Sequence, residues 1–199
     1  MANANRTAAE HVSSADLIYY NDTRQSLVLV QYKKLNARRK GYYYPNSDSG
    51  LDGELTRLRA VDRYAALLRK SGDDHRLCPD PSWIKLCPPE AVIPQADVMV
   101  PGMYFSRRHF EQLRQDARLQ DGRGGGVRFG FANVPSYLDN TMFTRLVETG
   151  MIGTTGVGTE LVRQQITRSF KQGKALILGL LTGPEEPQSE RNSRRRSGG

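Results

Sequence analysis

Asp16, Gln31 and Lys33 are the residues whose types and spacing could act together chemically. An acid, an amide and an ammonium make a charged site if the chain brings them to one surface. Residues 15–20, ADLIYY, and 27–35, LVLVQYKKL, read as two arms of a β-hairpin. Asn21 to Ser26 supply the turn chemistry between them. A turn closing symmetrically about Thr23 and Arg24 sets Asp16 opposite Gln31. Directly opposed residues on one face have Cβ atoms roughly 4.5–5.5 Å apart. Lys33 lies two residues past Gln31 and points to the same face. Both faces of these arms are otherwise apolar, with Leu17, Tyr19, Val28 and Val30 on one side and Ile18, Leu27 and Leu29 on the other. A strand of that kind is covered on both sides. A buried carboxylate or ammonium is costly unless it is paired or metal-bound. An Asp16–Lys33 ion pair and a metal site therefore both stay open on the residues alone.

Asp16 followed by Gln31-Tyr32-Lys33 in the next strand resembles the signature of PD-(D/E)xK nucleases, in the Asp…Gln-x-Lys form of Mrr-like restriction endonucleases. The resemblance covers about the first third of the chain. It implies a restriction-endonuclease-like fold, hydrolysis of DNA phosphodiester bonds and a setting in bacterial defence. It also implies Mg²⁺ or Mn²⁺, held by Asp16, the Gln31 side-chain oxygen and the Tyr32 carbonyl. Such a cation prefers oxygen ligands. It polarises the phosphate and lowers the pKa of a bound water. Lys33 would orient that water or stabilise developing charge. Gln in place of an acid removes one negative charge, so a second acid is desirable. Glu10 is a nearby candidate. The family core has a helix and a strand before its hairpin, whereas fifteen residues precede Asp16 here. A fragment, a later start, or another protomer or partner supplying that part would each account for the difference.

The rest of the chain must position these groups. Its 199 residues suffice for one domain with a core. The expected division is a single α/β domain over 1–183, then a disordered Arg/Ser/Glu-rich tail over 184–199. Within the domain, 15–72 form the nuclease-like hairpin and helix, and 82–182 an additional α/β part. The fold class is α/β, a mixed sheet seeded by the hairpin with flanking helices. The clearest helix is 50–70, with Leu51, Leu55, Leu58, Val61, Ala65 and Leu68 at helical spacing. Ser49 or Asp48 is its expected cap, and Asp52 and Glu54 suit its first turn. Ser82–Cys87 reads as a strand. A further strand lies in 98–105, interrupted at Pro101-Gly102. A helix over 106–119 is capped by Ser106, with Phe110, Leu113 and Ala117 inward. Val127–Phe131 looks strand-like. Asn140–Gly150 and Thr159–Gln172 read as helices, and Ala175–Leu181 as an internal strand.

The formal charge is +8, the pI about 9.7 and the mean hydropathy −0.59. Nucleic acid is a frequent partner of such a surplus. No acidic residue lies between Asp22 and Asp48, where Arg24, Lys33, Lys34, Arg38, Arg39 and Lys40 fall. Lys34, Arg38, Arg39 and Lys40 are the expected contacts to a phosphate backbone. Tyr42-Tyr43-Tyr44 either stack on exposed bases or hold a loop onto the sheet. His75, Cys78 and Cys87 fall short of the four ligands of a structural zinc site, and reduced thiols are expected. No apolar run reaches the roughly 18–20 residues that span a membrane. The first residues lack a secretory layout, so a cytoplasmic location is the default expectation. A nucleic-acid-binding or assembly protein that keeps a nuclease-like fold without activity is the alternative function. A small-molecule or protein-partner module is a third class.

Overall fold

The computed structural model describes residues 17–37, 41–69, 74–88, 100–120, 126–156 and 178–181. The hairpin consists of β1 (Leu17–Asn21) and β2 (Ser26–Lys34), paired antiparallel with Leu17 opposite Val30 and Asn21 opposite Ser26. This is the register read from the sequence. Gln25 takes the left-handed conformation, φ 47°, that closes the turn. The Asn21 side-chain oxygen accepts from the Arg24 amide at 3.0 Å. Its amide nitrogen donates to the Val147 and Glu148 carbonyls, which end a helix on the far side of the sheet.

From β2 the chain crosses through α1 (Leu51–Leu67) to β3 (Ser82–Cys87), which lies parallel to β2. β4 (Met103–Ser106) then returns antiparallel to β3 and leads directly into α2 (Arg107–Leu113). α3 (Asn140–Glu148) follows, and β5 (Leu178–Leu181) pairs parallel to β1. The mixed sheet has the order β4-β3-β2-β1-β5. The described part of the apolar stretch near the chain end, β5, is the outermost of the described strands.

Strand alternation divides the core into two layers. Ile84, Leu86, Met103 and Phe105 face α1 and α2, meeting Leu51, Leu55, Leu58 and Phe110. Tyr19, Val28, Val30, Trp83 and Tyr104 face α3, meeting Phe143 and Val147. Covering on both sides accounts for the two apolar faces of the hairpin. Phe143 sits at the centre of its layer, stacked on Tyr104 at 3.9 Å and edge-on to Trp83 and Tyr19. Among the described residues no helix is long and apolar enough to cross a membrane.

Several boundaries differ from the sequence reading for local reasons. Gly50, not Ser49 or Asp48, is the N-cap of α1, and Asp48 Oδ1 accepts from the Gly50 amide. α2 starts at the expected cap, with Ser106 accepting from the His109 amide, but ends at Leu113. Asp116 then caps a separate 3-10 turn, Ala117–Leu119, through its bond to the Arg118 amide. Short side chains that bond nearby backbone compete with helix in this way. Leu119 is consequently buried and Ala117 exposed. Val127–Phe131 forms isolated bridges instead of a ladder strand. Asn133 accepts from the Gly130 amide and donates to the Arg128 carbonyl, folding that segment on itself. The expected helix over 159–172 and the tail lie outside the described residues.

Candidate active site

Gln31 and Lys33 project from β2 toward α1. The parallel register sets Gln31 beside Ile84 and Lys33 beside Leu86, both on that face. Gln31 is 6% exposed. Lys33, its side chain 9% exposed, reaches two carboxylates. Its Nζ lies 2.8 Å from Asp48 Oδ2 and forms a second ion pair with Glu54. Tyr43 donates its hydroxyl to the same Asp48 oxygen at 2.7 Å. Asp16 and the basic residues Arg38, Arg39 and Lys40 lie outside the described residues, and Lys34 is exposed.

The two acids come from features the sequence assigned to helix initiation. Asp48 follows a short 3-10 turn, Pro45–Ser47, that carries it back under β2. Glu54 belongs to the first turn of α1, three residues after Leu51 and four before Leu58. That spacing puts it on the flank of the buried stripe. It was the available sign that Glu54 faces the sheet.

The electrostatics of the cluster follow from its partial burial. Desolvation disfavours the Asp48 carboxylate. Hydrogen bonds from Lys33, Tyr43 and Gly50 and the lysine charge outweigh it, so the carboxyl is held below its ordinary range. Burial pushes the Tyr43 phenol up, reinforced by its bond to Asp48. With Lys33 charged, two carboxylates around one ammonium leave a net charge of −1.

The oxygen set suits a hard cation. Glu54 Oε2 is buried and has no hydrogen-bond partner, its charge being met only by the ion pair with Lys33. Gln31 shares this face with Lys33 and its two acids. Among the described residues no three His, Cys, Asp or Glu side chains converge as a metal site.

Tyr32 points the opposite way, to the α3 side. There it meets a second lysine, which the sequence reading passed over. Lys85 lies in register between Tyr32 on β2 and Tyr104 on β4. It is 1% exposed. Its Nζ donates to the Val100 carbonyl at 2.5 Å and sits 4.6 Å from the Tyr104 ring centroid. Among the described residues no ion pair neutralises it. Desolvation lowers its pKa to about 8, with an opposing contribution from Cys87. Burial also raises the phenols of Tyr19, Tyr32 and Tyr104, whose hydroxyls are hydrogen-bonded through Tyr19. A lysine in the middle of a six-residue strand, flanked by Ile84 and Leu86, was the sequence sign of this site.

The two cysteines, Cys78 and Cys87, are free thiols. Burial raises the Cys78 thiol. No protein-family model, curated protein or solved structure matches the chain.

Proposed function

We propose that this chain is a metal-dependent nuclease-like protein acting on DNA phosphodiester bonds. The observation that carries the reading is the position of Gln31 and Lys33 on one face of an in-register hairpin, with Asp48 and Glu54 brought to Lys33. The second acid that the Asp…Gln-x-Lys signature calls for is available twice. A helix following the hairpin agrees with the same family resemblance.

The residues would divide the work by their chemistry. A bound Mg²⁺ would polarise the scissile phosphate and lower the pKa of a coordinated water. Gln31, Asp48 and Glu54 would hold that cation through oxygens of mixed charge. Tyr43 holds one Asp48 oxygen and so fixes that carboxylate's orientation. Lys33, held between its acids, would present its ammonium where negative charge develops on the phosphate. The acid-free basic segment around Lys34 would meet the flanking backbone.

A plasmid-cleavage assay with Mg²⁺ and Mn²⁺ tests this. The wild type is expected to nick or linearise DNA, and Glu54→Gln, Asp48→Asn and Lys33→Ala to lose that activity. Thermal melts of each variant separate lost chemistry from lost fold. Undiminished cleavage by folded Lys33→Ala protein would remove the proposal. One observation favours a second reading, a nucleic-acid binder without activity: Lys33 is already neutralised by two acids. Salt-sensitive DNA binding with no cleavage in either metal would select that reading.

A further inference from the structure

Two acid-free stretches, distant in the chain, adjoin in the fold. Residues 34–47 and 122–138 together contain six Lys or Arg residues and no Asp or Glu. Tyr43 and Phe129 join them through an antiparallel bridge, each amide donating to the other's carbonyl at 2.8 Å. Both of these side chains enter the core. Alternation along each strand then turns their neighbours, Tyr42 and Arg128, outward.

The outward groups form an aromatic and cationic surface. The Arg128 guanidinium lies 4.6 Å from the Tyr42 ring centroid. The Tyr42 ring rests on Gly130, where a Cβ would come within 2.6 Å of a ring carbon. Glycine is required there by the close approach, not by its own torsions. The next residue, Phe131, is 47% exposed and is braced edge-on by Tyr137 at 5.8 Å. An exposed phenylalanine beside a stacked guanidinium, where two sequence stretches that carry Lys and Arg but no acid meet, matches bases carried on a phosphate backbone. A duplex keeps its base faces stacked inside, so it cannot use the Phe131 ring. A neutral apolar partner would gain nothing from the positive charge.

We propose that Tyr42, Arg128 and Phe131 form a binding surface for single-stranded nucleic acid. Unpaired bases stack on Phe131 and on the Tyr42–Arg128 pair, and the surrounding Lys and Arg residues meet the phosphates. The inference rests on the nucleic-acid reading of the hairpin site and names the strand state of its substrate. Tyr42 is one peptide bond from Tyr43, whose hydroxyl holds Asp48.

Fluorescence anisotropy of the full chain, with labelled oligothymidine and with a duplex of equal length, tests it. Oligothymidine is expected to bind more tightly than the duplex. Phe131→Ala is expected to weaken oligothymidine binding by about tenfold or more, with Phe131→Trp retaining it and duplex binding unmoved by either. Arg128→Gln should also reduce the steepness of the salt dependence by about one unit. Phe131 is exposed, and unchanged melting of its variants checks the fold. Equal oligothymidine affinity for wild type and Phe131→Ala, or a preference for duplex, would overturn the inference. Glu54→Gln separates it from the catalytic reading. Loss of cleavage with oligothymidine binding intact supports both. A Phe131-dependent affinity in a protein that never cleaves supports the surface and removes the nuclease.

Discussion

Lys33 on the second hairpin strand is ion-paired with Glu54 in the first turn of α1. One side chain thus holds together the strand that carries the candidate chemistry and the helix that covers it. Asp48 completes the arrangement from the connection between them. The pairing makes the site's chemistry and its local stability depend on the same lysine.

Lys33→Met should therefore cost about 1–3 kcal/mol, because two partly buried carboxylates then face each other unneutralised. In a double-mutant cycle, Lys33→Met and Glu54→Gln should couple by roughly 1 kcal/mol or more. Denaturant unfolding of the four proteins measures this. Additive effects would show that the pair contributes nothing. The pH dependence has a defined sign. Asp48 has a depressed folded-state pKa, so its contribution is present above the ordinary carboxylate range and is lost on acidification. The penalty of Lys33→Met should shrink in acid as Asp48 takes up a proton.

Lys85 predicts a second rise of stability with pH, in the alkaline range. Its pKa is about 8 in the folded protein against an ordinary 10.5. Between those values the unfolded chain binds more protons, so stability rises with pH. The rise should total about 3 kcal/mol before other groups intervene. Near and above pH 10 the raised phenols of Tyr19, Tyr32 and Tyr104 act the other way, since the unfolded tyrosines ionise first. Urea midpoints measured from pH 7 to pH 10 should climb for the wild type. For Lys85→Met the climb should be absent, with a higher value at pH 7 and a fall toward pH 10 as Cys78 and the tyrosines ionise first in the unfolded chain.

Arg107 and Asp62 form the buried counterpart of the Lys33 cluster. Arg107 Nε donates to Asp62 Oδ2 at 2.5 Å, and Asp62 Oδ1 accepts from the Ser82 amide at 3.0 Å. Arg107 also binds Glu111, which reaches Arg59 on α1. The network ties α1, α2 and β3 together. Arg107→Met leaves Asp62 without its ion-pair partner and should cost about 3–5 kcal/mol. Thermal unfolding checks this, and a loss under about 1 kcal/mol would show that the network relaxes without penalty.

Gly153 tests the seam between the hairpin and the segment after α3. Its φ is +99°, and a Cβ there would lie 2.6 Å from the Leu27 carbonyl oxygen. The surrounding backbone is fixed by bonds between Leu27 and Thr154 and from Ser26 to Ile152. Gly153→Ala should therefore destabilise by more than about 1 kcal/mol, since both torsion and contact oppose it. The shift in urea midpoint reports it.

The hairpin, its register and its two buried faces were legible because their causes are local. Period-two alternation and turn residues set which side chains share a face, whatever the rest of the chain does. The α1 stripe and the β3 segment were legible for the same reason, as was the Ser106 helix start, where a short polar side chain meets a backbone amide.

The partners of the charged groups were not legible, because long-range packing chooses them. Glu54 and Asp48 looked like residues of a helix start, and only the crossover of α1 over β2 turned them onto Lys33. Asp62 sits on the apolar stripe, four residues after Leu58, yet its use depended on Arg107 arriving from α2. Tyr42, Tyr43 and Tyr44 could not be divided among core and surface until Phe129 paired with Tyr43. Periodicity along one chain segment fixes which way a side chain points. Which charge or ring it meets there is fixed by segments tens of residues away, whose approach follows from burying both faces of one sheet.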